Sequence, residues 1–191
     1  LESFGELIYL PPRNMLSFPT SEEEILYRDW NLLGVDYLVV GSAVLGKDLQ
    51  DVVVSFSIIN ITRQRVIKRS ISKGSSAFLK SLGHVMSDRI YKEINGIPGI
   101  FSTKISYVNN ESLPEKNYFL RVTDIDGEND SVLFSSPEPI MSPSWSSDGK
   151  EIAYVSFEEG QSRIYIQEVY TGKRKSLKLE PGINSSPNWS P

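Results

Sequence analysis

Cysteine is absent from this chain of 191 residues, and histidine occurs only once. The absence of cysteine excludes disulfides, thiolate metal sites and cysteine nucleophiles. The single histidine, His84, leaves a histidine metal cluster or a nucleophile–histidine triad with one candidate member, and it lies among apolar residues in a helical pattern. We therefore interpret His84 as a packing or surface residue, and we expect no catalytic residue, no metal site and no cofactor.

Long apolar runs and an excess of basic charge are also missing. No stretch approaches the roughly 18 apolar residues that a membrane-spanning helix needs, so we expect no membrane insertion. The net charge of -4 provides no sequence-wide positive field that would hold nucleic acid or anionic lipid. The one basic cluster, from Arg63 to Arg69, alternates with apolar Val66 and Ile67. We interpret it as the solvent-exposed face of a strand rather than a nucleic-acid site.

The second half of the chain does contain a repeat. Tyr107 in KISYVNNE is matched by Tyr154 in EIAYVSFEE, 47 residues later. Trp145 in SPSWSSDG is matched by Trp189 in SSPNWSP, 44 residues later. A period in the low to middle forties, filled with short strands, is typical of a β-propeller blade.

Turn and strand signals within the repeat agree with this interpretation. Asp126-Gly127 and Asp148-Gly149 predict tight turns, and residues 152–155 predict a mostly buried strand. We expect Trp145 and Trp189 to pack between adjacent blades, with each indole N–H bonded to a backbone acceptor.

Two acidic motifs could form either a metal or acid–base site or a structural turn. DIDGEND resembles a calcium loop, but the glycine and glutamate needed at its sixth and twelfth positions are replaced by Asn129 and Ser135. Glu158 and Glu159 precede a glycine in a turn, and nothing places them across a cleft as an acid–base pair. We expect structural turns at both motifs. The acidic residues at alternate positions of the first motif are Asp124, Asp126, Glu128 and Asp130.

The region from Leu1 to about Phe101 has a different character. A capping-box spacing predicts a helix from Ser21 to Gly34, and residues 35–44 predict a buried strand. Two further strands are predicted around a polar turn near residues 62–64. A second helix with one apolar face ends at Asn95-Gly96. Its predicted apolar face comprises Phe78, Leu82, Val85, Met86, Ile90 and Ile94.

These elements predict an α+β domain over residues 1–101, followed by all-β propeller repeats over residues 102–191. NGIPGIFSTK, from Asn95 to Lys104, is the expected hinge between them. The chain begins without methionine and ends at NWSP, within what looks like the opening of another repeat. Because a single blade and a fraction cannot close a propeller, we expect a longer protein.

Three collinear segments carry a resemblance to a known family. They are RDWNLLGVDYLVVGSAV, LGHVMSDRIYKEINGIPGIFSTKISYV and LRVTDIDGENDSVLFSSPEPIMSPSWSSDGKEIAYVSFEEG. In wording and order they resemble the TolB family, the periplasmic propeller proteins of the bacterial Tol-Pal envelope system, across nearly the whole chain. The repeat here has SSDG where SPDG is commoner, which leaves the turn unaffected.

The resemblance implies an α+β N-terminal domain followed by a six-bladed β-propeller, of which this chain holds the first blade and the start of the next. It implies a monomeric, non-enzymatic periplasmic adaptor that serves outer-membrane integrity and cell division. Its partners would be the Pal lipoprotein, bound by the propeller, and TolA, bound by the extreme N-terminus, and some colicins would use the same propeller for import. We expect the Pal and TolA contact residues to lie outside these 191 residues.

Two alternatives remain open at this level. A propeller can precede an α/β-hydrolase domain in a serine peptidase, which requires a G-x-S-x-G motif and a catalytic histidine that this chain lacks. A carbohydrate- or peptidoglycan-binding propeller would use exposed aromatic residues such as Tyr165 and Trp189. Strand alternation predicts that most of these aromatic residues are packed instead.

Overall fold

The computed structural model describes residues 7–112, 116–177 and 182–190. The chain divides into two compact units, Leu1–Ser102 and Thr103–Pro191. The first contains helices α1 (Tyr27–Leu32) and α2 (Leu79–Asn95) and strands β1 (Tyr37–Leu45), β2 (Asp51–Asn60) and β3 (Arg65–Ser75). The second contains β4 (Lys104–Glu111), β5 (Asn117–Asp124), β6 (Ser131–Ser136), β7 (Ile140–Trp145), β8 (Glu151–Ser156), β9 (Arg163–Glu168) and β10 (Arg174–Ser176). Short 3-10 turns occupy Pro12–Asn14, Glu22–Glu24 and Ser76–Phe78.

The sheet of the first unit is antiparallel, with β2 in the centre. The polar turn between β2 and β3 lies where the sequence predicts it. Gln64 has a positive φ of 49°, and the amide of Arg63 donates a 2.7 Å hydrogen bond to Asn60 Oδ1. An asparagine side chain that caps the turn in this way fixes the hairpin locally.

The prediction of a buried strand at residues 35–44 is wrong in its burial. Strand β1 is an edge of the sheet, and only Leu38 and Val40 on it are buried. Val39 is 39% exposed and Val44 is 61% exposed. Apolar composition indicates a strand but cannot show whether both of its faces are covered.

The helix predicted from Ser21 to Gly34 is broken in two. The 3-10 turn Glu22–Glu24 ends at Ile25, whose extended backbone turns its side chain into the core, and α1 follows from Tyr27. Ser21 makes no side-chain cap, and it is the Thr20 amide that donates a 2.7 Å hydrogen bond to Glu24 Oε2. The break coincides with hydrogen bonds that Glu22 accepts from Ser57 and Arg69 of the sheet.

Helix α2 ends as predicted, because Gly96 adopts the left-handed conformation at φ 79° and its amide bonds to the Lys92 carbonyl. Its apolar face packs on Phe56 and Ile58 of β2 through Ile90, with Met86 and Ile94 beside it. Three residues of the predicted face are not in this core cluster, and of these Leu82 is half-buried. Phe78 precedes the helix and is 66% exposed, and Val85 is 38% exposed.

The second unit consists of two antiparallel sheets, β4-β5-β6 and β7-β8-β9-β10. The predicted Asp-Gly turns are present, with φ of 82° at Gly127 between β5 and β6 and 69° at Gly149 between β7 and β8. Strand β8 is almost completely buried, as predicted for residues 152–155. Strand β7 carries a bulge where Ser142 has a φ of 52°.

Equivalent strands show how the two sheets differ. The repeat aligns Tyr107 of β4 with Tyr154 of β8, and β8 has a strand on each side. β4 pairs with β5 alone, so no strand among residues 7–112, 116–177 and 182–190 occupies the position equivalent to β7 in the first sheet. Within the described residues, the second unit therefore contains one three-stranded sheet and one four-stranded sheet.

Candidate functional site

The two sheets of the second unit share one apolar core. Leu120 and Val122 of β5 pack in one cluster with Ile152 and Tyr154 of β8, and Trp145 packs against this cluster. Burial of large apolar side chains from both sheets is the main force that holds them together. This is the packing between blades that the sequence predicts for Trp145.

A buried glutamine bridges the two sheets within this core. Gln167 on β9 is 2% exposed, and its Oε1 accepts a 2.8 Å hydrogen bond from the Tyr154 hydroxyl. Its Nε2 donates a 3.0 Å hydrogen bond to the carbonyl of Leu133 in β6, on the other sheet. One side chain therefore satisfies a buried hydroxyl on its own sheet and a backbone acceptor on the neighbouring sheet.

An arginine lies between aromatic rings at the same interface. The guanidinium carbon of Arg174 is 4.0 Å from the ring centroid of Phe134 on β6 and 4.0 Å from that of Tyr165 on β9. Its Nη1 donates a 3.1 Å hydrogen bond to Glu158 Oε2, and its Nη2 bonds to Oε1 at 2.5 Å. We call Leu133, Phe134, Tyr154, Tyr165, Gln167 and Arg174 the blade interface.

Burial controls the ionisation of the groups at this interface. It raises the pKa of the Tyr154 phenol well above its ordinary value, and it raises the pKa of Tyr165, where Glu158 and Glu159 act in the same direction. Burial is the largest single influence on the Glu158 carboxyl and raises its pKa, but the hydrogen bonds from Arg174 and Tyr165 and the charge of Arg174 together outweigh it, so that pKa lies below its usual range. At neutral pH both phenols are therefore neutral and Glu158 is ionised.

An alkaline titration tests this arrangement. Because the folded protein raises the pKa of Tyr154 and Tyr165, the stability that their neutral forms contribute is complete below about pH 10 and is lost as the pH rises further. We expect most of the nine tyrosines to ionise first and these two only as the protein unfolds. Tyrosinate absorbance measures the ionisation, and circular dichroism measures the unfolding. The variant Tyr154→Phe should lack one late-ionising group. Simultaneous ionisation of all tyrosines in the folded protein would contradict the assignment.

The repeated tryptophans differ in their hydrogen bonding. Trp189 Nε1 donates a 3.0 Å hydrogen bond to the Ser144 carbonyl on β7, which confirms the predicted backbone partner. Within the described part of the chain, Trp145 Nε1 is buried and has no such partner. By the repeat, the acceptor for Trp145 would belong to a strand next to β4, and the described residues contain no such strand.

Two carboxylates of the acidic loop DIDGEND are held by separate sets of side-chain partners. Asp124 accepts hydrogen bonds from Lys104 Nζ at 2.5 Å and Asn129 Nδ2 at 2.6 Å. Asp130 accepts from Arg121 Nε at 2.8 Å and from the Tyr107 hydroxyl at 2.9 Å. Arg121 is the main cause that holds the pKa of Asp130 below its usual value. Among the described residues, no group of three or more His, Asp or Glu side chains is arranged to hold a metal ion.

The basic cluster of the first unit is part of a strand surface, as predicted. Arg69 Nε and Nη2 donate to the Glu22 carboxylate at 2.8 and 2.6 Å, and Ser57 Oγ donates to the same carboxylate at 2.6 Å. These hydrogen bonds, that of Arg69 first, lower the pKa of Glu22. Lys68 forms an exposed ion pair with Glu93 at 3.4 Å. A groove of about 370 Å³ lies beside the Glu22–Arg69 pair, and Ser42 and Ser55 are among the residues that line it.

Comparison with known proteins decides the family. Residues 91–191 match the TolB beta propeller domain, and residues 1–67 match the TolB amino-terminal domain. The chain belongs to the TolB family. This agrees with the resemblance inferred from sequence and with the observed order of an α+β unit followed by antiparallel sheets.

Individual TolB relatives give the extent of the similarity. The chain is 40% identical over 192 residues to the Tol-Pal system protein TolB of Alcanivorax borkumensis, covering all of this chain and 44% of that protein. It is 43% identical over 188 residues to the Tol-Pal system protein TolB of Hahella chejuensis, covering 97% of this chain and 44% of that protein. The crystal structure of TolB from Acinetobacter baumannii matches with a TM-score of 0.75 and 35% identity, covering 81% of this chain and 38% of that one.

Two further observations bear on function. The chain spans less than half the length of the curated relatives that it matches. In the described residues, no helix has the length and apolar character that crossing a bilayer requires.

The remaining residues that the sequence analysis considered as candidates are Glu158, Glu159, Tyr165 and His84. Glu158 is paired with Arg174, and Glu159 accepts a 2.9 Å hydrogen bond from the Tyr165 hydroxyl and pairs with exposed Arg163. Tyr165 is 5% exposed, so it offers no ring face to a sugar, and this weighs against the carbohydrate-binding alternative. His84 lies partly exposed on α2.

Gln167 and Arg174 are the interface residues that sequence reasoning missed. One signal was available for Gln167, because it lies two residues after Tyr165 on β9 and therefore on the same face of the strand. Arg174 carries no comparable signal, since an arginine in a short final strand reads as a solvent-exposed residue.

Proposed function

We propose that this chain belongs to a periplasmic adaptor of the Tol-Pal system, which binds partner proteins and catalyses no reaction. Family membership and relatives named as Tol-Pal system proteins support this proposal. The adaptor would link the Pal lipoprotein to TolA and thereby serve outer-membrane integrity and cell division. Colicins that enter through this system would use the same protein.

The blade interface is the structural observation that best supports a binding scaffold. Gln167 bonds to Tyr154 and Leu133, and the two terminal nitrogens of Arg174 bond to Glu158. Polar groups that are hydrogen-bonded to one another in this way make a scaffold rigid rather than bind a substrate. A rigid propeller presenting loops suits the recognition of another folded protein.

The layout proposed for the intact protein follows the domain order. Residues 1–101 would form the α+β domain and residues 102–191 the start of a six-bladed propeller. Pal would bind the propeller, largely through blades beyond residue 191, and TolA would bind a segment that precedes Leu1. The protein would act as a monomer, without nucleic acid, cofactor or membrane insertion.

The two binding events would be coupled by competition. In one state the N-terminal segment would pack on its own domains, and in the other it would be free to bind TolA. Pal would favour one of these states, so Pal and TolA affinities would change by the same factor in reciprocal fashion.

Removing the N-terminal segment tests this coupling. We expect the Pal affinity of the full-length protein to change by about fivefold or more when the segment preceding Leu1 is deleted, because typical coupling energies correspond to such factors. Isothermal titration with the soluble domain of Pal measures both constants. Equal affinities with and without the segment would refute the competition, while loss of detectable binding in the intact protein would refute the Pal-binding role.

A further inference from the structure

The segment that follows α2 returns to the helix instead of leaving it. We call residues 96–102 the exit segment. The Phe101 amide donates a 2.7 Å hydrogen bond to Asp88 Oδ1, and the Ser102 amide donates a 3.0 Å hydrogen bond to Asp88 Oδ2. The Ser102 hydroxyl also donates to Oδ2. One carboxylate on α2 therefore receives three hydrogen bonds from the end of the exit segment.

The packing around Asp88 is as restrictive as its hydrogen bonding. A Cβ atom at Gly99 would lie 2.5 Å from Asp88 Oδ1 and 2.7 Å from Asp88 Cα, distances that real Cβ atoms do not adopt. Phe101 is 6% exposed, and its ring meets Tyr91 of α2 edge-on at 5.8 Å between centroids. Glycine is thus required where the exit segment passes over the carboxylate, and an aromatic pair fixes its far end.

The chain is also held immediately beyond the exit segment. The Thr103 carbonyl accepts a 3.2 Å hydrogen bond from the Ile125 amide, and Lys104 begins β4 opposite Asp124. Ser102 is therefore bonded to α2 in the first unit, and Thr103 is bonded to a strand connection in the second.

We propose that Asp88 is a latch that makes the exit segment a rigid extension of α2. The segment 95–104, expected from the sequence to be the hinge into the repeats, would then bend only when the latch opens. A glycine that admits close packing is no evidence of flexibility, as Gly99 illustrates. The inference concerns the first unit alone and does not depend on the proposed function.

The charge of Asp88 is central to the latch. An ionised carboxylate accepts at both oxygens, and hydrogen bonds to it are about twice as strong as those between neutral groups. In Asp88→Asn one oxygen becomes an NH₂ group, which cannot accept from the Phe101 or Ser102 amide. The substitution keeps the size of the side chain and removes at least one of the two backbone contacts.

Hydrogen exchange in the full-length protein tests the latch. We expect the Phe101 and Ser102 amides to be protected, and we expect Asp88→Asn to raise their exchange rates by roughly tenfold or more, as the strength of a charge-assisted hydrogen bond implies. Glu93→Gln is the matched control on the same helix, because Glu93 pairs with exposed Lys68 and makes no contact with Asp88 among those described. It should leave both rates unchanged.

A second variant distinguishes opening of the latch from general unfolding. Ser102→Ala removes only the hydroxyl donor, so exchange at residues 101 and 102 should rise less than in Asp88→Asn, while exchange in β2 stays at its wild-type rate. Cleavage of residues 96–102 by a nonspecific protease should follow the same order of variants. Rapid exchange of both amides in the wild-type protein would overturn the latch, as would unchanged exchange in both variants.

Discussion

Replacing Gln167 with leucine is expected to lower the free energy of unfolding by about 2–4 kcal/mol. Leucine has nearly the same size, but it leaves the Tyr154 hydroxyl and the Leu133 carbonyl without the hydrogen bonds that Gln167 makes to them. Buried polar groups that lose their partners retain the full cost of their desolvation. Urea unfolding of the full-length protein, monitored by tryptophan fluorescence, measures the change.

Gln161 supplies the control for this experiment. It is exposed in the turn before β9, so Gln161→Leu should change the free energy of unfolding by no more than about 0.5 kcal/mol. Equal effects of the two substitutions would show that the bridge between the sheets contributes nothing specific. A stabilised Gln167→Leu variant would contradict the structure at this interface.

Replacing Arg174 with alanine is expected to cost about 2 kcal/mol of unfolding free energy. The substitution removes the guanidinium from between Phe134 and Tyr165 and leaves Glu158 without its cationic partner. The side chains of Arg174 and Glu158 remain 24% and 27% exposed, so water screens the pair and the expected cost is below that of a fully buried one.

Arg163 offers a matched comparison in the same sheet. It pairs with Glu159 at 2.9 Å, but the two side chains are 49% and 50% exposed. Surface pairs of this kind contribute about 0–1 kcal/mol, so Arg163→Ala should have a much smaller effect on the urea midpoint. If both alanine variants unfold at the same urea concentration, the aromatic packing of Arg174 contributes no stability.

Features set by neighbouring residues could be predicted from the sequence. The turns at Gly127 and Gly149, the buried strand β8 and the end of α2 at Gly96 all follow from local patterns, and all are present. Packing of Trp145 between the sheets followed from the repeat, because a large apolar residue at the same place in each unit needs a common environment. The six-bladed architecture of the intact protein remains a prediction.

Features set by distant residues could not be predicted. Glu22 bonds to Ser57 and Arg69, 35 and 47 residues away, and these contacts accompany the break in the expected first helix. The open face of β1 depends on its edge position, which an apolar pattern does not encode. Asp88 reaches the exit segment across a reversal of the chain direction, so glycines that suggest a hinge belong to a bound segment.

Calorimetric titration of the full-length protein with the soluble domain of Pal tests the central claim most directly, with the 191-residue chain measured in parallel. The adaptor proposal predicts saturable binding at one-to-one stoichiometry by the full-length protein and little or none by the shorter chain. It thereby assigns the Pal site to parts of the propeller beyond residue 191. Absence of binding by the full-length protein under conditions where both proteins are folded would contradict the claim.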